Sequence, residues 1–179
     1  LVLGAAEKFN IGHHLKEFTK GDSTKICSCD IGEVNGFNVS FSVNDRTRTF
    51  LKVQDGCDYN CSFCTIPMAR GKSRSDSIKN VIFQTQQLAA SGVKEIVLTG
   101  VNLGDFGKAS DNSKTQHENF TELVQQLDEV AGIERYRISS IEPNLPFGYR
   151  FITGKKLNCK RGEKIVLVKQ LLVENEIHP

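Results

Sequence analysis

Apolar and polar residues alternate strictly over residues 37–44, which is the pattern of a β-strand with one buried face. We expect residues 47–53 to form its hairpin partner. Nearer the start of the chain, Ile11, Leu15 and Phe18 recur at helical spacing and predict a helix that packs against another element. We interpret this helix as the end of an earlier domain.

From residue 50 onward the pattern changes to alternating strands and helices. An apolar run at residues 50–53 precedes a predicted helix with Ser75 or Asp76 as its N-cap and Gly92 at its end. Residues 95–99 predict a buried strand, residues 120–130 a second amphipathic helix ending at Gly132, and residues 135–141 a third strand. This order predicts an α/β fold with parallel strands. The loops that follow these strands are then expected to lie at the same edge of the sheet.

Composition and charge exclude several classes of protein. With 39% hydrophobic and 25% charged residues among 179, the chain is typical of a globular protein. No apolar stretch approaches the roughly 20 residues of a membrane helix, and the apolar start is too short for a signal peptide, so we expect a cytoplasmic protein without membrane association. The net charge of +2 does not indicate nucleic-acid binding, but residues 46–74 carry six basic and two acidic side chains.

Three of the six cysteines, Cys57, Cys61 and Cys64, lie within that basic segment. Without an export signal, such a group favours metal binding or catalysis over disulfides. A structural zinc site is closed by four ligands and a conventional cubane takes four cysteines, so three thiolates leave one metal position open. We therefore predict an iron–sulfur cluster. The alternatives are a zinc site completed by Cys27, Cys29 or a histidine, and a chance cluster of buried cysteines.

The spacing C-x3-C-x2-C, with an aromatic residue before the last cysteine and a strand before the first, resembles the radical S-adenosylmethionine (SAM) superfamily. Four segments look like the methylthiotransferases of that superfamily: residues 54–57 (QDGC), 64–75 (CTIPMARGKSRS), 98–102 (LTGVN) and 137–143 (RISSIEP). Within the family they are most similar to the branch that methylthiolates threonylcarbamoyladenosine in tRNA, next to the anticodon. The resemblance extends from residue 1 to about residue 144.

This resemblance implies a partial parallel (βα) barrel of the radical SAM type, in which Cys57, Cys61 and Cys64 hold three irons of a 4Fe-4S cluster. The fourth iron would bind the amino and carboxylate groups of SAM. One electron, from a donor such as flavodoxin or ferredoxin, would then split the sulfonium and produce a 5′-deoxyadenosyl radical. The protein's task is to position the cofactor and to exclude side reactions.

The resemblance also implies a set of SAM-binding residues: Phe63, Thr99, Gly100, Asn102, Ser140 and Glu142. Phe63 is expected near the adenine, and the turn at residues 99–102 at the methionine end, where Gly100 permits close backbone approach. Ser140 and Glu142 are expected to accept hydrogen bonds from the ribose. The alternative for each is a turn or cap residue at the end of a strand.

Arg70, Lys72 and Arg74 are candidates for contact with tRNA phosphates, since arginine suits bidentate binding of phosphate. The alternative is a solvated basic loop. The remaining chemistry-bearing residues are interpreted as surface histidines and incidental thiols: His13, His14, His117, His178, Cys27, Cys29 and Cys159.

Four segments follow from this interpretation. Residues 1–18 end an N-terminal methylthiotransferase domain, residues 19–45 are a linker and strand, residues 46–144 are a partial radical SAM core, and residues 145–179 are a tail unrelated to the family. The cysteines of the family's second cluster and its C-terminal RNA-binding domain have no counterpart here, so we expect a truncated and inactive chain. A sheet cut short after three strands predicts an exposed apolar edge near Ile138 and Ile141.

The interpretation leaves other functions open. One is a cluster-binding module without turnover, and another is a methylthiotransferase acting on a different tRNA adenosine or on a ribosomal protein. A third is a zinc-stabilised RNA-binding domain.

Overall fold

The computed structural model describes residues 1–21, 23–42, 48–108 and 118–141, and the backbone of residues 165–167. The strands are β1 (Val2–Leu3), β2 (Ile26–Cys27), β3 (Ser40–Phe41), β4 (Arg48–Lys52), β5 (Gln54–Asp55), β6 (Arg74–Ser75), β7 (Glu95–Thr99), β8 (Arg135–Ile138) and β9 (Ile165–Leu167). The α-helices are α1 (Ile11–Glu17), α2 (Ile66–Arg70), α3 (Ile78–Ala90) and α4 (Phe120–Asp128). None of these helices is long and apolar enough to cross a membrane.

A sheet in the order β3-β4-β7-β8-β9 forms the centre of the described part of the chain. Strands β4, β7, β8 and β9 are parallel, and β3 pairs antiparallel with β4, so the predicted hairpin pairing is confirmed. Among the described residues of the predicted strand, however, only Ser40–Phe41 are strand, and the expected buried face is wrong there because both are exposed. The α/β class with parallel strands is therefore confirmed, while closure into a partial barrel stays a prediction. Strand β9 comes from the segment interpreted as a non-family tail and lies against the outer edge of β8.

The hydrophobic core lies between one face of this sheet and helices α3 and α4. Leu51, Leu98 and Ile138 stand in register across β4, β7 and β8 on that face. The expected exposed edge at Ile138 is wrong, because this side chain is 1% exposed and belongs to the core. Ile141 is half-buried against the same cluster.

Helices α3 and α4 begin at side-chain caps. The Oγ atom of Ser77 accepts from the Asn80 amide at the start of α3, so the predicted caps Ser75 and Asp76 are wrong by one or two residues. Ser75 is instead in β6, which pairs antiparallel with β5. Helix α4 begins with a reciprocal capping box between Asn119 and Glu122.

Helix α1 exists, but its expected buried face is wrong. Ile11 and Leu15 are exposed, the latter by 58%, and the buried residue is His14. His14 Nε2 contacts Glu7 Oε2 at 2.9 Å, and this hydrogen bond lowers the pKa of the Glu7 carboxyl. The seven-residue helix therefore docks through a polar contact, and His14 is not the surface residue that its sequence context suggested.

Gly107 and Glu118 lie against each other between β7 and α4. Gly107 has a φ of +82°, and an added Cβ would overlap the backbone of Glu118. Gly107 is held to β6, because its amide donates to Ser75 Oγ at 2.9 Å. Glu118 is held to the start of α3, because its Oε2 accepts from the Ile78 amide at 3.1 Å.

Candidate metal centre

The loops that carry the candidate chemistry follow three parallel strands at the same edge of the sheet. The cysteine loop (residues 56–64) comes after β4 and β5, the 99–102 turn ends β7, and Ser140 follows β8. Backbone hydrogen bonds join neighbouring loops: the Val53 amide donates to Thr99 O at 2.9 Å, and the Leu103 amide to Ser140 O at 2.9 Å. Glu142 lies outside the described residues.

The cysteine loop presents its three thiols at or near the surface. Cys61 is exposed, Cys57 and Cys64 are half-buried, and all three are free. The Cys57 amide donates to Gly71 O at 3.1 Å, and the Cys64 amide donates to Cys61 O at 3.0 Å. Burial raises the pKa of the Cys57 thiol, and the charges of Asp105 and the other two cysteines act in the same direction. Metal ligation at Cys57 must therefore displace a proton.

The donor set fits a cluster that uses one thiolate per metal. Among the residues that the structure describes, no three His, Cys, Asp or Glu side chains are arranged to hold a single metal ion. In a cubane each cysteine binds a different iron, so the three sulfurs need not converge on one point. Cys57, Cys61 and Cys64 would thus be the residues to hold such a cluster, with one iron left open.

Gly56 makes the entry to the cysteine loop possible. Its φ is +71°, and an added Cβ would lie 2.7 Å from the Lys72 carbonyl carbon and 2.8 Å from the Gly71 oxygen. The residue is therefore required both for its left-handed backbone and for the close passage of residues 71–72.

Asp55, directly before this glycine, is buried among three cations. Its carboxylate accepts from Arg70 Nη1 at 3.1 Å, Lys52 Nζ at 3.4 Å and Arg74 Nη2 at 3.5 Å, and from the Gly56 amide at 2.9 Å. Burial alone would raise the pKa of Asp55. The hydrogen bonds from Arg70 and Gly56 and the positive charges of Lys52 and Arg74 outweigh burial, so the pKa of Asp55 lies below its usual value. For Lys52, desolvation lowers the pKa of the ammonium despite this partner.

The three candidate tRNA contacts differ in their accessibility. Arg74 is 8% exposed, and its guanidinium donates to Gly36 O, Arg70 O and Lys72 O as well as to Asp55. It is therefore a structural residue without a free face for phosphate, contrary to the sequence hypothesis. The side chain of Arg70 is half exposed and that of Lys72 is exposed.

The candidate SAM residues also fall into two groups. Phe63 is 90% exposed beside the thiols, and Ser140 is half-buried. Asn102 is buried, with its Nδ2 donating to Asp105 Oδ2 at 3.1 Å and its Oδ1 accepting from the Gly104 amide at 3.3 Å. It therefore caps the short 3-10 helix Leu103–Asp105, which is the alternative that the sequence left open. Its role in SAM binding stays a prediction.

Sequence reasoning missed Gln54, which joins the cysteine loop to the 99–102 turn. Its side chain is 1% exposed and contacts Gly56, Ser73, Val101 and Asn102. The sequence feature that could have identified Gln54 is its position as a polar residue at the end of an apolar run, directly before Asp55.

Comparison with known proteins agrees with the cysteine pattern. The family model for the radical SAM superfamily matches residues 51–169, beyond residue 144 and through β9. The threonylcarbamoyladenosine tRNA methylthiotransferase MtaB of Bacillus subtilis is 50% identical over 99 residues, covering 55% of this chain and 21% of the relative. The MtaB of Rickettsia prowazekii is 40% identical over 144 residues, covering 79% of this chain and 32% of the relative.

A further relative is named for a different substrate. The tRNA-2-methylthio-N(6)-dimethylallyladenosine synthase of Natranaerobius thermophilus is 33% identical over 141 residues, covering 79% of this chain and 30% of the relative. The chain thus spans about a fifth to a third of the length of these relatives. Because the family model matches more than half of the chain, the chain belongs to the radical SAM superfamily, and its relatives include methylthiotransferases.

Proposed function

We propose that this chain is the cluster-holding and SAM-binding part of a methylthiotransferase that acts on tRNA. The observation that carries the proposal is the cysteine loop itself, with three accessible thiols at the carboxyl edge of parallel strands. The activity for which the MtaB relatives are named supports methylthiolation of the adenine of threonylcarbamoyladenosine as the parent reaction. A different tRNA adenosine is the second candidate, because one relative is named for dimethylallyladenosine.

A 4Fe-4S cluster with bound SAM would supply a 5′-deoxyadenosyl radical at this site when one electron arrives from a flavodoxin or ferredoxin. The chain's own residues bind and orient. Cys57, Cys61 and Cys64 hold the cluster, and Phe63 offers an exposed ring for stacking on the adenine. The 99–102 turn, with Thr99 and Gly100, lines the methionine end.

Ser140 and Glu142 complete the proposed SAM site as hydrogen-bond acceptors for the ribose. For tRNA, the proposal retains Arg70 and Lys72, whose side chains reach solvent at the rim of the cysteine loop. It assigns Arg74 to the internal support of that loop, because its donors are taken up by carbonyl groups.

The proposed domain limits place the end of an N-terminal domain at residues 1–18 and a linker with one strand at residues 19–45. The radical SAM core begins at residue 46, and the family match to residue 169 supports its continuation past residue 144. Cys27 and Cys29 are remote from the cysteine loop in sequence and lack the grouping of a second cluster site, so we propose that sulfur insertion by the parent enzyme needs a second cluster held by other residues. We therefore propose cluster binding without methylthiolation for this chain by itself.

Anaerobic reconstitution with iron and sulfide tests the proposal. We expect one oxygen-sensitive cluster per chain, four irons with four sulfides, and loss of both in the C57A/C61A/C64A variant. The matched control is C27A/C29A, which removes two thiols outside the loop and should load normally. Normal iron and sulfide in the triple variant, or uptake of zinc alone by the native chain, would refute the proposal.

A further inference from the structure

Gln54 is a buried glutamine with every polar atom engaged. Its Oε1 accepts from the Val101 amide at 2.7 Å and the Asn102 amide at 2.9 Å. Its Nε2 donates to Gly56 O at 2.8 Å, Ser73 Oγ at 2.9 Å and Asp55 O at 3.1 Å, so its two hydrogens serve three acceptors. One planar amide thus binds the cysteine loop on one side and the 99–102 turn on the other.

We propose that Gln54 is the positioning residue that fixes the spacing between the cluster and the SAM-binding turn. The inference rests on the proposed function, in which these two loops hold the two parts of one cofactor site. The loops are far apart in sequence, and a backbone hydrogen bond from Val53 to Thr99 joins the ends of the strands that precede them. Beyond the strands, the Gln54 side chain supplies the connection between Gly56 and residues 101–102.

The chemistry of the contact requires an amide. The turn offers two N–H donors and therefore needs an acceptor, whereas the cysteine loop offers two carbonyls and needs a donor. A glutamate would direct a second acceptor at the carbonyls of Asp55 and Gly56. A leucine would fill the same space and leave these buried backbone groups without a partner.

Gly100, in the 99–102 turn, provides independent support for this role of Gln54. An added Cβ there would lie 2.8 Å from Gln54 Oε1, 3.0 Å from Gln54 Cβ and 2.8 Å from Leu103 Cδ2. The turn therefore packs directly on the glutamine, and Gly100 permits close approach of the turn to Gln54. The variant G100A should displace the same contact without removing the amide.

Two measurements on the whole chain test the inference, with Q54L, Q54E and G100A as variants and T85V as control. Thr85 is also fully buried, but it lies in α3 away from both loops, and its hydroxyl has no hydrogen-bond partner. The first measurement is amide hydrogen exchange of residues 101–102 in the metal-free chain. We expect exchange faster by about tenfold or more in Q54L and Q54E and unchanged exchange in T85V.

The second measurement is the electron paramagnetic resonance signal of the reconstituted, reduced cluster during a SAM titration. Cluster content should persist in the Gln54 variants, while the SAM concentration at half-maximal spectral change should rise about tenfold. If Q54L proves unstable, Q54E keeps the size of the side chain and should shift the titration in the same direction. G100A is assessed by the exchange of residues 101–102 alone, because Gly100 itself lies in the proposed SAM site.

The outcomes separate the two proposals. Normal exchange at residues 101–102 and an unchanged SAM midpoint in the Gln54 variants would overturn the positioning role. Failure of the native chain to load a cluster would overturn the proposed function, whereas the exchange experiment would still decide whether Gln54 holds the turn.

Discussion

Replacing Gly56 with alanine tests whether the close backbone passage at the start of the cysteine loop is essential. An alanine there must adopt a φ of +71° and place its methyl group against residues 71–72. The matched control is Gly92→Ala at the end of α3, where φ is +90° but nothing lies within 4 Å of an added Cβ. Both variants carry left-handed strain, and only the first adds a clash.

The two variants are expected to lose different amounts of unfolding free energy, because only Gly56→Ala requires the cysteine loop to move. Left-handed strain costs about 1 kcal/mol for an alanine, which is the whole effect expected at Gly92. At Gly56 the loop must also shift, which endangers the bonds from the Cys57 amide to Gly71 and from Gln54 to Gly56. Since each such bond contributes about 1 kcal/mol, we expect a total loss of about 3 kcal/mol.

The assay is urea unfolding of the metal-free, reduced chain, followed by far-ultraviolet circular dichroism, and then iron content after anaerobic reconstitution. Gly92→Ala should load iron like the native chain, and Gly56→Ala should load substantially less. Equal shifts of the unfolding midpoint in the two variants, together with equal iron content, would show that the passage at residues 71–72 relaxes easily and that the reasoning is wrong.

Because the folded pKa of Asp55 is depressed, its carboxylate stabilises the fold above the unfolded-state pKa, and this contribution is lost as pH falls through the folded value. Asp55→Asn should therefore lower the urea midpoint at pH 7, with the difference from the native chain shrinking below about pH 4. Leu123→Ala, at a fully buried position, should cost about 3 kcal/mol in the same assay, and a loss under about 1 kcal/mol would contradict the core assignment. Phe63→Ala should change stability by less than about 0.5 kcal/mol yet weaken SAM binding by the loaded protein, and unaltered binding would remove Phe63 from the site.

Strands β4, β7 and β8 were predictable from periodicity, whereas β5, α2 and β6, which flank the cysteine loop, were not predicted. Strand β7 has the bounds that its apolar run predicted, and the hairpin of β3 on β4 is confirmed. Strand β7 is strongly patterned because its three central apolar side chains are buried in the core, so the local sequence already contains the structural constraint. The resemblance of the cysteine spacing to the radical SAM superfamily is likewise confirmed, since all three cysteines lie in one loop and their spacing is a local pattern.

The errors occurred where distant residues determine the outcome. The cap of α3 moved to Ser77 because Ser75 pairs with β5, a contact that no local pattern indicates. Arg74 looked like a phosphate contact, but carbonyl groups at residues 36, 70 and 72 surround its guanidinium. Gln54 and His14 are polar residues whose burial depends entirely on tertiary contacts, so neither could be assigned a role from sequence position.

The contact between Gly107 and Glu118 gives protein engineers a natural insertion point. Because the two ends of the segment at residues 109–117 are already fixed together, its length is decoupled from the packing of α3 and α4. Doubling the length of a flexible segment between two fixed ends costs only about 0.6 kcal/mol in closure entropy. A peptide epitope or a dye-labelling sequence inserted after Lys108 would therefore leave the core intact. Its point of attachment would lie next to the cysteine loop, because Lys108 contacts Tyr59 of that loop.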